Sequence, residues 1–333
     1  MSINADSDDK RNASQLKDNL GRELVNIASE DAIESFKKAG KIAGEALHYG
    51  KSLIKKEVTM LEVLDKVEDK IKELCARLGD GYVGGIGFPA QASCNDIAAH
   101  YCPEEDDKIV FSDQLICLDV GVHVNGYIGD NALTVDLSGK YNELVKASRE
   151  ALDNAIKAVS VGVYNSEVGQ VIQETIESYG FKPVRNLSGH GIARWNIHTK
   201  PGMPNYNSAE KFKLEENMVI AIEPFASTGA GLIYEANEAS VFMQESKKGV
   251  RGTFAREILK EVEKLNGLPF TTRWLTRKFG KPKVNFGMRE LMQTDVVRSY
   301  PPLVDKAHGI ISQAEHTLLV KDKPVILTKY DDE

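Results

Sequence analysis

Residues 115–137 read LICLDVGVHVNGYIGDNALTVDL. Up to Val124 they alternate: Ile116, Leu118, Val120, Val122 and Val124 fall on one side, Cys117, Asp119, Gly121 and His123 on the other. That two-residue period is the mark of a half-buried strand. Asn125–Gly126 follows, a strong hairpin signal because both central residues of a tight I′ turn need positive φ, and YIGDNALTVDL continues as the return strand. With a two-residue turn, Asp130 stands opposite Gly121, and Asp119 becomes its diagonal neighbour on the same face, about 7–8 Å away. The opposing glycine leaves room there for something bulky. Two carboxylates on one face of a buried hairpin repel unless they share a cation or a proton; the bland alternative is two solvated aspartates on an exposed face.

Three further polar markers bear on that choice. Residues 186–198, NLSGHGIARWNIH, carry His190 between two glycines, and His198. Residues 219–225, VIAIEPF, embed Glu223 in an apolar strand run, and residues 311–320, ISQAEHTLLV, do the same for Glu315. A glutamate flanked on both sides by strand-forming apolar residues is seldom buried without a partner. Asp119, Asp130, Glu223 and Glu315 with one imidazole make an oxygen-rich ligand set, suited to divalent Mn, Fe, Co or Zn rather than to thiolate-preferring metals. Four carboxylates can neutralise two dications, and paired ions roughly 3.5–4 Å apart are the hydrolase arrangement that activates a bridging water.

Around these segments the chain repeats its own architecture. Residues 1–30 are polar, with sparse hydrophobic positions, and are expected to form a loosely docked extension. From Asp31 the apolar positions Ile33, Phe36, Ala39, Ala43, Ala46 and Leu47 recur at helical spacing. A second helix is expected from Thr59, with Glu62 completing a capping box, to Gly79. Strands follow up to Leu137. Helices at about Tyr141–Val159 and Ser166–Tyr179 then precede a second set of strands. Helix, helix, strands thus occurs near 31–137 and again near 141–244, which predicts an α+β sandwich: an antiparallel sheet with helices on one face. Helical segments at Phe254–Leu265, Thr271–Phe279 and Met288–Val297 read as an insertion (about 245–305), since the strand pattern resumes at Ile310–Val320. Between Thr253 and Tyr300 there are ten basic and five acidic residues, most simply a solvated face, with ribosomal RNA as the sharper reading.

Composition is ordinary for a globular chain: 333 residues, 42% hydrophobic and 27% charged, which excludes disordered, collagenous and coiled-coil classes. The net charge of −7 argues against a binder of DNA or of anionic membrane. No apolar run approaches the ~20 residues of a membrane span, and MSINADSDDK at the start lacks a signal-peptide core. Cys75, Cys94, Cys102 and Cys117 form no C-x-x-C pair and read as free thiols of a reducing, cytoplasmic compartment.

The chain resembles the type II methionine aminopeptidases of the pita-bread (creatinase/aminopeptidase) metallopeptidase fold, the archaeal ones in particular. The resemblance spans residues 31–333 and rests on FPAQASCNDIAAHY around His100, LDVGVHVNGYIGD, NLSGHGIARWNIH, AIEPF, YPPLVD from Tyr300, and QAEHT. Each motif is weak alone; six in order are specific. The resemblance implies a pseudo-twofold antiparallel sheet covered by helices, with a helical insert typical of type II. It implies two divalent cations, with Asp119 on the first, Asp130 and Glu315 bridging both, and His190 and Glu223 on the second. Glu223 would also take the proton from the bridging water. His100 and His198 would contact the substrate, and Phe88, Ile197 and Tyr300, with Tyr234 the looser match, would line a methionine pocket. The implied activity is removal of N-terminal methionine from nascent polypeptides with a small, uncharged second residue, in the cytoplasm; a monomer is expected, and the ribosome is a partner only on the sharper reading of the basic insert. Ala90, Gln91, Ala92 and Cys94 before His100, and Cys102 just after it, are mild departures from the family pattern. His123 and His316 read as structural, Trp195 and Trp274 as packing. The rivals are a proline dipeptidase using the same ligands, which resembles longer chains, and a non-catalytic pita-bread binding protein, which would lack ligands.

Overall fold

The computed structural model describes residues 17–236 and 238–330. The hairpin is where the alternation puts it. Strands β2 (Leu115–Val124) and β3 (Tyr127–Asp136), which follow β1 (Gly84–Cys94), pair with Gly121 opposite Asp130 and Asp119 opposite Ala132. Asn125 and Gly126 carry the positive φ angles of the tight turn, 52° and 87°. The face bearing Leu118, Val120 and Val122 is packed under the first two helices, α1 (Glu30–Leu53) and α2 (Met60–Cys75).

Helix α1 starts where Ser29 accepts the Ala32 N–H, with Glu30 and Asp31 in the first turn facing the positive helix end. Its buried face holds Phe36, Ala39, Ala43, Ala46 and Leu47. Gly40, costly in a helix by propensity, is explained by close approach: a methyl group there would collide with the Leu327 carbonyl. Helix α2 is capped by Thr59, which accepts the Glu62 N–H at 3.3 Å, but the Glu62 carboxylate bonds Lys66 instead of closing the box, and the helix ends at Cys75, short of Gly79.

The second half repeats the plan. Helices α3 (Asn142–Ala158) and α4 (Asn165–Ser178) precede β4 (Ser188–Ala193), β5 (Asn196–Pro204) and β6 (Val219–Ile222); β7 (Glu315–Leu319) and β8 (Val325–Ile326) close the chain. These strands form one sheet in the order β1–β2–β3–β7–β6–β4–β5, with β8 beside β7, and every pairing is antiparallel. Helices α3 and α4 cover the Ile220, Ile222 and Leu318 side of its second half. The sheet covered by two helix pairs matches the α+β expectation.

Within the polar N-terminal stretch, residues 1–16 lie outside the described residues, while the chain from Arg22 onward is laid along the sheet edge. Lys200 N–H donates to the Leu24 carbonyl, Asn26 reaches the Ile192 carbonyl at 3.1 Å, and Val25 and Ala28 are buried.

Between β6 and β7 the chain builds a separate block with its own apolar core around Ile258, Phe270, Leu275 and Leu291. It holds α5 (Thr253–Val262), extended by a 3-10 turn to Leu265, then α6 (Thr272–Phe279) and α7 (Lys281–Gln293). The last of these starts and ends earlier than the expected Met288–Val297: Gly280 terminates α6, and Pro282 is tolerated in the first turn of α7, where a missing N–H costs nothing. Val297 itself belongs to a strand, Val297–Tyr300, paired with Val241–Gln244. The basic excess of the block is largely spent inside the chain. Arg277 and Lys281 pair with Asp65 and Asp106, and Lys278 with Glu261. Arg273 is fully buried: its guanidinium bonds Asp65 and, at 2.7 Å, Glu68, whose other oxygen takes the Trp274 indole N–H at 2.8 Å. This clamp ties the block to α2. Truncating one partner strands the other charge in the interior, so Arg273→Ala is expected to lose about 3–5 kcal/mol of stability. Urea unfolding would show it as a lowered midpoint; an unchanged midpoint would mean that the clamp holds nothing.

Candidate active site

Register alone gathers the acidic residues. Ala132 of β3 pairs with Asp119 on one side and with Glu315 of β7 on the other, so all three share a face; Asp130, two residues before Ala132, shares it too. Ala221 of β6 pairs with Thr317, two residues after Glu315, and with His190 of β4; Glu223 follows Ala221 by two. All five side chains therefore leave the sheet on the face opposite the helices, two from the first half and three from the second. Gly121, in the same row as Asp130, has no room to spare: a methyl group there would collide with the Phe88 ring, the bulky group that the hairpin's glycine admits.

These residues line one cavity of about 160 Å³ together with Phe88, His100, Ile197, His198 and Tyr300. Every site residue the sequence singled out thus reaches the same space except Tyr234, which is exposed and packs near His308. His190 Nε2 lies 3.6 Å from Asp130 Oδ2 and 3.7 Å from Glu223 Oε1. Ligand atoms of Asp130, His190 and Glu315 lie within 4.8 Å of one another. His198 stands edge-on to His190, ring centroids 4.6 Å apart, and His100 edge-on to Tyr300 at 5.7 Å.

The electrostatics are those of crowded, buried carboxylates. Burial pushes the Asp119 carboxyl up to about 7, and burial with mutual repulsion drives Asp130, Glu223 and Glu315 well above the carboxylate range. The same burial lowers His190 and His100 to about 4 and His198 well below its usual value. Asp119 Oδ1, Asp130 Oδ1 and Glu315 Oε1 are buried with no hydrogen-bond partner. Oxygens in that state are costly unless something positive sits against them. Hard oxygen donors with one neutral imidazole fit a divalent metal.

Two glutamines stand beside the acidic cluster, Gln313 behind it and Gln91 in the cavity wall. Gln313 donates from Nε2 to Glu223 Oε2 at 3.3 Å and to Glu315 Oε2 at 3.2 Å, holding two carboxylates side by side. Its spacing, two residues before Glu315 in QAEHT, was the signal that it shares that face. Gln91, with Ala99, Leu187, Ser188, Val241 and Pro269, also lines the cavity; nothing in local sequence marks these six, because they converge from separate strands and loops. His123 stays outside, against Trp195 with ring centroids 4.8 Å apart, and His316 bonds Thr328 Oγ1 on the opposite face, both as structural residues. All four cysteines are free.

A buried carboxylate–histidine cluster in the middle of a twice-repeated antiparallel sheet defines a metal-dependent hydrolase. Residues 34–254 match the model of metallopeptidase family M24. Over 301 residues, 90% of this chain and 99% of the relative, it is 41% identical to a methionine aminopeptidase of Archaeoglobus fulgidus. A crystal structure of methionine aminopeptidase from Thermotoga maritima superposes with a TM-score of 0.66 at 25% identity, covering 92% of this chain and all of that one. A thermophilic Arx1 superposes with a TM-score of 0.80 over 91% of this chain and 93% of its own, at 15% identity, a likeness of fold alone. The chain belongs to metallopeptidase family M24, and its fold is the pita-bread fold. Among the described residues no helix is long and apolar enough to cross a membrane.

Metal binding should be visibly coupled to protons. A cation needs the carboxylates ionised, whereas Asp119 keeps much of its proton at pH 6 and little at pH 8. Titrating a divalent metal into metal-free protein should therefore release more protons at pH 6 than at pH 8, and bind more weakly at pH 6. Calorimetry in buffers of different ionisation heat measures this; equal release at both pH values would contradict an Asp119 carboxyl that titrates between them.

Proposed function

We propose that this protein removes the N-terminal methionine from nascent proteins and peptides whose second residue is small and uncharged, in the cytoplasm, by hydrolysis at a dinuclear metal site. The observation that carries the reading is the convergence of four carboxylates, one ligand histidine, two further histidines and an apolar wall on one cavity. In this reading Asp119, Asp130, His190, Glu223 and Glu315 would hold two divalent cations. Bound there, the ions supply an activated water and charge stabilisation at the scissile carbonyl.

The chain's own groups account for the rest. Glu223, facing the cavity beside His190, is placed to take the proton of the attacking water and return it to the leaving amine. His100 is neutral at physiological pH, and its Nδ1 faces the Pro301 carbonyl at 3.3 Å. A carbonyl only accepts, so Nδ1 carries the proton and Nε2 is left as an acceptor for a substrate N–H. Phe88, Ile197 and Tyr300 offer apolar surface to an unbranched thioether, which packs well against aromatic edges. His100 and His198 limit the space beside the scissile bond, so a bulky second residue pushes the carbonyl out of line.

Displacement of a reacting atom by about 1 Å costs on the order of 100-fold. Met-Ala-Ser should be cleaved and Met-Leu-Ser largely spared by metal-loaded enzyme, while Ala-Pro stays inert; comparable rates on Ala-Pro and Met-Ala-Ser would favour a proline dipeptidase. Asp130→Ala and Glu315→Ala should each lose both metals by elemental analysis, and retention of two tightly bound ions by either would sink the shared-ligand assignment.

A further inference from the structure

We propose that Gln91 is a positioning residue for His100: its side-chain amide replaces a missing strand partner and fixes the backbone that aims the imidazole at the substrate. The inference rests on the reading in which His100 touches substrate. Gln91 is 5% exposed and is the register partner of Asp119, so its side chain shares the face of the carboxylate cluster and lines the same cavity. The register of β1 against β2 slips on both sides of Phe88, and just beyond, the segment ending in His100 and Tyr101 folds back against β1. There Ala92 N–H donates to the Tyr101 carbonyl at 3.1 Å and Tyr101 N–H to Ser93 Oγ at 3.4 Å. The intervening donor, His100 N–H, goes to Gln91 Oε1 at 2.8 Å, the shortest of the three.

His100 needs that hold more than its neighbours do. Its φ is +67°, the left-handed region that costs a residue with a Cβ about 1–2 kcal/mol. Such a conformation persists only where its surroundings over-determine it. Two contacts do so here, Gln91 on the main-chain N–H and the Pro301 carbonyl on the ring Nδ1. Without the first, a part-buried N–H loses its partner and the backbone is free to relax to negative φ, which swings the Cα–Cβ bond and carries the imidazole away. The amide suits the place: a shorter side chain falls short of the N–H, and a glutamate would add a fifth carboxylate beside Asp119.

A double-mutant cycle tests it. Gln91→Met keeps length and volume but removes the acceptor; it is compared with His100→Ala and with the double variant, as metal-loaded full-length proteins, by kcat and KM on Met-Ala-Ser, metal content and melting midpoint. Gln91→Met should lower kcat on the order of 10–100-fold, with KM and metal content little changed. In the His100→Ala background the same substitution should cost less than about twofold, because a residue acting through His100 has nothing left to aim. An equal loss in both backgrounds, or loss of metal, overturns the assignment while leaving the role of His100 intact. If His100→Ala itself leaves kcat/KM unchanged, the reading of His100 falls and this inference falls with it. Should Gln91→Met fail to fold, Gln91→Asn, with an amide one methylene short, completes the same cycle with the same expected result.

Discussion

Four carboxylates confined to one face of a buried sheet repel one another, and the rest of the molecule is organised around that repulsion. Water cannot screen it, since Asp130 and Glu315 are almost wholly buried, and no lysine or arginine lines the cavity. Gln313 supplies two weak donors and His190 a neutral imidazole. What remains unpaired is negative charge or the protons that suppress it, and a divalent cation is the group that removes both costs together. The same arrangement that makes the metal-free site unfavourable makes the loaded one strong.

Holding such a cluster open takes a rigid frame, and the duplicated architecture provides it. Asp119 and Asp130 come from a tight hairpin, whereas His190, Glu223 and Glu315 come from three strands separated widely in sequence. They meet because β3 and β7 pair at the middle of the sheet, with Ala132 opposite Glu315. Apolar cores on the helix-covered face lock each half: α1 and α2 on Leu118 and Val120, α3 and α4 on Ile220 and Leu318. Alternation then sends every other side chain the other way, into the cavity.

The walls that shape a substrate come from elsewhere. Tyr300 arrives on a strand of the helical block, which the buried Arg273 clamp fastens to α2. His100 follows a short strand, Ile97–Ala99, paired with Leu303–Asp305, and this pairing brings Pro301 to its ring. A buried ion pair outside the cavity lining therefore helps to seat the block that carries this aromatic wall.

The sequence by itself determined the hairpin, its register, and which five acidic and imidazole side chains stand out against apolar strand runs, because strand alternation and the Asn-Gly turn are local physics that need no distant partner. It determined the repeat of helix pairs and strands for the same reason. It did not reveal why Gly40 sits in a helix, that Glu62 turns to Lys66, or that Pro282 opens a helix instead of breaking one; each depends on which neighbour wins a competition. Only the tertiary structure decided that Gln91 lines the cavity, that Tyr234 does not, and that the basic excess of the helical block is mostly spent on Asp65, Glu68 and Asp106. These outcomes rest on long-range pairings, where a polar side chain takes the partner that folding delivers, and nothing in its own stretch of chain names that partner.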